Sequence, residues 1–301
     1  MFMVMFMPWL FFICLIWVHP ALYADSSAPR ILFLGDENTF NGGWVVEVES
    51  AIRAQKGYAR VSIVNMGLLS ETVSGLSEPG HAGGSFTRPH LKNRLPQILA
   101  QYKPTLVIAQ YGMNDGIYLP LDQNRFKAFQ DGIINLRNDC IKSGAKIILL
   151  TPSLYAPDKF PQVMEYEKVL QAYSAWMVAQ RKAGWQVVDV HSRLLLEYNN
   201  AKRADPKFIY ANNGVHPTEK GNSLIARSVW DGLAANMIWV KDTPLISDTA
   251  KNRPLYKSMV VLRNAWLSQT GSNHPFVNSG LPLETAEMRS SEYLKEYFKG
   301  L

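Results

Sequence analysis

Between residues 30 and 237 short apolar runs alternate with stretches of helical period, and this alternation constrains the fold more than any other feature of the chain. The runs lie at 31–34, 60–65, 106–109, 146–150 and 185–190. Near-continuous apolar runs of that length belong to strands buried on both faces, as in parallel sheets. Between them Trp44, Val45, Val48 and Ile52 recur at helical spacing, and so do Leu91, Leu95, Ile98 and Leu99 in a helix read as starting at Pro89. Phe126, Phe129, Ile133, Ile134 and Leu136 form a third apolar face, closed by Gly144. Val169, Leu170, Tyr173, Trp176 and Met177 form a fourth within a helix expected over 163–182, and a last helix is expected over 218–237. Strands separated by helices of this length pair in parallel through right-handed crossovers. The expected fold class is therefore α/β: a three-layer α/β/α sandwich around a parallel five-stranded sheet.

From residue 239 onward the alternation stops. Residues 257–267 and 284–298 read as helices, separated by an irregular segment rich in Gly, Ser, Asn and Pro. We read 239–301 as a C-terminal helical extension packed on an α/β domain at 25–238. Residues 1–24 read as a signal peptide: 1–18 are almost wholly apolar and uncharged, and Ala24 supplies a small residue before Asp25. The positive n-region is missing and Leu22 is large for a cleavage site, so an uncleaved membrane anchor is the alternative. Either way the expected location is outside the cytoplasm, periplasmic or secreted.

The net charge of +6 is spread along the chain, with no run of five basic residues, so nucleic acid is not an expected partner. Outside the leader Cys140 is the one cysteine, which leaves no internal disulfide to form, and its place in a helical face marks it as a core residue. No metal-ligand spacing or cofactor motif is read, so no metal and no cofactor are expected.

The chemistry is expected where the first strand ends, since open α/β sheets place ligands beyond the carboxyl ends of their strands. There the chain reads Gly35-Asp36-Glu37. Three further stretches stand at comparable places: Asn65-Met-Gly-Leu-Leu-Ser-Glu-Thr72, Gly112-Met-Asn114-Asp115 and Gly214-Val-His216-Pro217. In this order the four resemble the blocks of the SGNH (GDSL-type) hydrolase family, across residues 30 to about 237. The insert Ser-Glu-Thr-Val-Ser-Gly-Leu76 and the extension are similar to a secreted bacterial subgroup of it. The resemblance implies a flavodoxin-like sheet and ester hydrolysis of the esterase or acetylesterase type. It also implies oxyanion donors at the Ser70 backbone and the Asn114 side chain, oxyanion- or ligand-binding positions at Asp36 and Gly112, with Asp36 also bracing the loop, and a general base at His216.

Three residues depart from the family pattern. Glu37 stands where the family has its nucleophilic serine, Ser70 replaces a glycine, and Asn213 replaces the aspartate that orients the histidine. A carboxylate attacking an ester gives an anhydride, which is uphill, and losing a triad nucleophile costs on the order of 10⁶ in rate. Asn213 is expected to accept a proton from His216 through its amide oxygen, without stabilising an imidazolium by charge. Two readings follow. In one, the pocket binds a small ester or acetylated carbohydrate without turnover, a pseudoenzyme. In the other, Glu37 and His216 pair, polarise a water and hydrolyse an ester without a covalent intermediate. His81 and His274 are read as surface loop residues, and Tyr111 and Tyr118 as half-buried packing beside the third block.

Overall fold

The computed structural model describes residues 29–156, 164–235, 245, 247–272 and 274–300; the expected leader at 1–24 lies outside them. Five strands form one parallel sheet in the order β2-β1-β3-β4-β5: β1 Arg30–Gly35, β2 Ser62–Asn65, β3 Leu106–Gln110, β4 Lys146–Leu150 and β5 Val187–Val188. The order reverses between β1 and β3, where Gly35 pairs in register with Gln110. That switch point is where the crossovers leave to opposite faces and a crevice opens.

Strand periodicity sorts the apolar side chains to two cores. Leu32, Leu34, Val107, Ala109, Ile147 and Leu149 point to the face covered by α3 (Leu95–Tyr102), α4 (Gln123–Lys142) and α5 (Met164–Ala179). Ile31, Phe33, Ile63, Ile108, Ile148 and Leu150 point to the other, under α2 (Gly43–Arg53), α6 (Val190–Ala204) and α7 (Glu219–Ala235). Trp44 and Trp230 fill the second core, and burying each large apolar side chain contributes about 1.5–3 kcal/mol. Cys140 lies fully buried in the first core, where burial pushes its thiol up to about 12.

Several boundaries differ from the sequence reading for local reasons. The loop expected after β1 is a short helix, α1 (Glu37–Asn41), because Asp36 caps it through the Asn38 N–H at 3.1 Å. Pro89 does not start α3; a 3₁₀ turn over Leu91–Asn93 intervenes, and Pro96 sits in the first turn of the helix proper. The fifth apolar run is strand for only two residues, since Asp189 caps α6 through the Ser192 N–H. The fourth helix ends in a 3₁₀ turn over Gln180–Ala183. Val163 and Met237, at the expected ends of two helices, lie outside the described residues.

The extension is helical as expected, in longer pieces: α8 (Thr249–Gln269) and α9 (Leu283–Lys299). The two helices pack on each other, and α8 runs beside α2 and the edge strand β2. Covering that edge removes an open ladder from solvent. Leu255 and Met259 of α8 bury against Val46 of α2, and Tyr297 of α9 shares a hydrogen bond with Ser50 at 2.8 Å.

Candidate active site

Three adjacent strands, β2, β1 and β3, deliver one loop each to the switch point. Ser70 comes five residues after β2, Glu37 two after β1 and Asn114 four after β3. Their meeting point is the carboxylate of Glu37. Its Oε2 accepts from the Asn114 side-chain amide at 2.6 Å and from the Ser70 backbone N–H at 3.3 Å. Those two N–H groups are the ones the resemblance assigns to an oxyanion hole, which works by aiming preorganised donors at a developing negative charge. Here an oxygen of the Glu37 side chain occupies both. Glu37 is only 6 % exposed, and among the described residues no hydrogen bond reaches its other oxygen, Oε1.

The donors are held from behind. The Tyr118 hydroxyl donates to Asn114 Oδ1 at 3.0 Å, which fixes the amide with its NH₂ toward Glu37 and the Glu71 carbonyl. Ser70 has φ +60, a left-handed conformation that costs a non-glycine residue about 1–2 kcal/mol, which explains why a glycine suits this position. Arg88 reaches the Ser70 carbonyl at 3.4 Å and clasps Glu78 at 2.6 and 2.7 Å. Burial would raise the Glu78 carboxyl, but hydrogen bonds from Arg88 and His81 override it and hold it down at about 2. Deeper still, Glu71 and Arg94 form a buried bidentate pair at 2.5 and 2.6 Å, joined by the Tyr111 hydroxyl.

Asp36, Asp115 and Gly112 shape the loops. Buried Asp36 caps α1; burial first and the neighbouring Glu37 second push its carboxyl well up. Asp115 accepts from the Val73 and Ser74 N–H groups at 2.9 and 2.8 Å and so ties the third block to the second; burial raises it to about 6 against those bonds. Gly112 has φ +125, and a Cβ there would run into Pro152.

The histidine side is built differently. Asn213 and His216 both lie exposed in a tight loop before α7. The N–H groups of Val215 and His216 donate to Asn213 Oδ1 at 3.2 and 2.9 Å, which fixes that atom as the amide oxygen. The imidazole Nδ1 then faces the amide NH₂ at 2.8 Å, closer than Oδ1 at 3.1 Å. With its oxygen held by the backbone, Asn213 turns its NH₂ to Nδ1 as a donor in one tautomer of the ring, while Oδ1 stays within reach for the acceptance the sequence leads one to expect in the other. A neutral imidazole whose Nδ1 accepts carries its proton on Nε2. In that form Nε2 is a donor and cannot take a proton from a nucleophile. Among the described residues His216 makes no ion pair within 4.0 Å, so the expected Glu37–His216 pair does not form.

The structure thus brings Glu37, Ser70 and Asn114 together, places Asp36 and Gly112 beneath them, and keeps Asn213 and His216 as a separate pair. Sequence reasoning missed Arg88, Glu78, Glu71 and Arg94, whose partners lie 10 and 23 residues apart along irregular chain and leave no periodic signal. It also underrated Tyr111, fully buried on Glu71, and Tyr118 on Asn114. His274 is buried rather than a surface loop residue, His81 lies half-buried in its loop, and both rings pack edge-on against Phe86.

A parallel sheet of order 2-1-3-4-5 with an amide and a backbone N–H converging at its switch point defines the SGNH-hydrolase class of α/β fold. The model of the GDSL-like lipase/acylhydrolase family matches residues 33–224, and the chain belongs to that family. A catalytic mutant of Axe2, an acetylxylan esterase from Geobacillus stearothermophilus, superposes with TM-score 0.51 at 19% identity over 68% of this chain and 94% of that one. A gut microbial diltiazem-metabolizing enzyme, BT4096, gives TM-score 0.53 at 16% identity over 68% of this chain, which spans only 46% of that protein. At these identities the likeness concerns the fold alone. A comparison with curated protein sequences finds no match.

Proposed function

We propose that this protein is an exported, non-hydrolysing member of the GDSL-like family, binding a small ester-like or acetylated-carbohydrate ligand without covalent turnover. The observation that carries this reading is the Glu37 carboxylate on both oxyanion donors. A substrate carbonyl reaching those donors meets an occupied site and a like charge. The donation from Asn213 to His216 removes the base in the same stroke. What is left for a ligand is hydrogen bonding, at Oε1 of Glu37 and at the exposed ring of His216. A ligand hydroxyl both accepts and donates, which favours a carbohydrate over a bare ester. The acetylxylan esterase among the structural neighbours agrees with that ligand class, and the apolar leader supports export.

The test is hydrolysis of p-nitrophenyl acetate by the purified chain beside Glu37→Ser and Glu37→Ser/Asn213→Asp. The expected outcome is an inert wild type and a double variant that turns over. Turnover by wild type that Glu37→Ala abolishes overturns the reading and makes Glu37 a working catalytic group.

A further inference from the structure

Behind the Ser70 loop a cleft of about 650 Å³ separates that loop from the extension, with Leu68, Glu71, Phe86, Arg88 and Arg94 on one wall and His274 on the other. Buried polar atoms nearly always find partners, so the exceptions call for an explanation. Two exceptions line this cleft. Arg94 spends Nε and Nη2 on Glu71 and the Met66 carbonyl, while Nη1 is buried without a partner. On the facing wall His274 accepts the Phe276 N–H at Nδ1, 3.2 Å away, which leaves its proton on Nε2; that N–H is also buried and unmatched.

A third unmatched atom lies beyond Phe86. Glu78 accepts from His81 Nδ1 at 3.0 Å, so the buried His81 Nε2 carries a lone pair with no donor. Phe86 stands between the two imidazoles, its centroid 5.0 Å from His81 and 4.7 Å from His274. Phe276 packs on Phe86 at 5.7 Å and leaves 66% of its surface in solvent.

The charges here are already matched. Glu71 takes both remaining faces of Arg94, Glu78 takes Arg88, and burial, with His81 nearby, lowers the His274 pKa toward the uncharged ring. An anion would find no surplus positive charge. The unmet demand is for neutral groups that accept and donate, beside aromatic faces.

We propose that this cleft is a subsite for a neutral carbohydrate, with ring hydroxyls meeting the Arg94 and His274 N–H groups and a sugar face packed on Phe276. It deepens the carbohydrate reading of the neighbouring pocket and rests on that reading for its ligand class. The two share a wall, since Arg88 bonds the carbonyl of the residue whose N–H holds Glu37. His274 and Phe276 lie outside the 33–224 stretch matched to the family.

The experiment is calorimetric titration of the full chain with unacetylated xylo-, cello- and chito-tetraose and with an oligogalacturonate as the charged counterpart. One neutral tetrasaccharide should bind wild type; His274→Ala and Phe276→Ala should each weaken it by about tenfold, the loss of one hydrogen bond or one stacking contact. His274→Gln, which keeps an N–H donor, should recover part of the loss. Thermal melts of the variants separate loss of binding from loss of fold. No neutral binding at millimolar ligand, binding indifferent to His274→Ala and Phe276→Ala, or preference for the charged oligomer overturns the proposal. Ester turnover at Glu37 enters none of these readouts, so the subsite and the non-hydrolysing reading fail separately.

Discussion

The two halves of the candidate site are held in different ways. Around Glu37 the carboxylate is integrated: it is buried, both donors are engaged, and Tyr118, Arg88 and the Glu71–Arg94 pair back them. Around His216 the loop is exposed and local, with Asn213 receiving two backbone N–H groups and its NH₂ the amide atom nearest the imidazole. On the proposed reading one half is rebuilt around a carboxylate, which takes the place of a substrate oxyanion, and the other is retained in geometry with its polarity exchanged, the amide turning a donor toward the ring.

The comparison breaks most sharply at the exchanged polarity. Adding Asn213→Asp to Glu37→Ser should raise kcat on p-nitrophenyl acetate by about 10³-fold or more over Glu37→Ser alone, because a triad aspartate sets the working tautomer. If the second substitution adds nothing, the direction of the Asn213–His216 bond is not what silences that half. Next comes the buried support of the rebuilt half. Arg94→Met leaves the buried Glu71 side chain without its cationic partner, at a cost of about 3–5 kcal/mol in urea unfolding. A loss near zero would mean that the pair does not brace the loop.

A smaller effect contrasts the halves directly. Glu37→Ala strands two buried donors and should cost about 1–3 kcal/mol. It should also create an acetate site that thermal shift detects in the variant and not in wild type. His216→Ala, at an exposed position with one local partner, should change stability by no more than about 0.5 kcal/mol. Equal costs for the two would erase the distinction between a rebuilt and a retained half. The smallest effect is in pH. Glu78 is held at about 2 in the folded chain against an ordinary value of 4.5, so its contribution is complete above 4.5 and lost as pH falls through 2. Glu78→Gln should therefore flatten the fall in melting temperature between pH 4.5 and 2, and an unchanged slope would place the acid lability elsewhere.

Much of the fold was legible because its signals are local. Apolar runs at 31–34 and 106–109 became β1 and β3, the helical faces of Trp44 and Phe129 became the two cores, and the break after residue 237 marked where α8 and α9 take over. The short helix α1 was missed because a two-glycine stretch behind it reads as loop, while its cause, Asp36 capping Asn38, spans only two residues. The site was legible as a set of positions, and less so as a set of contacts. Glu37, Asn114 and Ser70 were singled out, but their meeting on one oxygen and the absence of a Glu37–His216 pair required coordinates.

By itself the sequence determined which residue types stand at the ends of which strands, since hydrophobic period and block order are properties of neighbours along the chain. It thereby placed Glu37 and Asn213 where the resemblance expects a serine and an aspartate. Tertiary structure alone decided what those two side chains contact. A carboxylate and an amide each have several possible partners, and the choice depends on which N–H groups lie within hydrogen-bond reach in space. For Glu37 those come from residues 33 and 77 positions away. For Asn213 two backbone N–H groups hold the oxygen and turn the NH₂ toward His216.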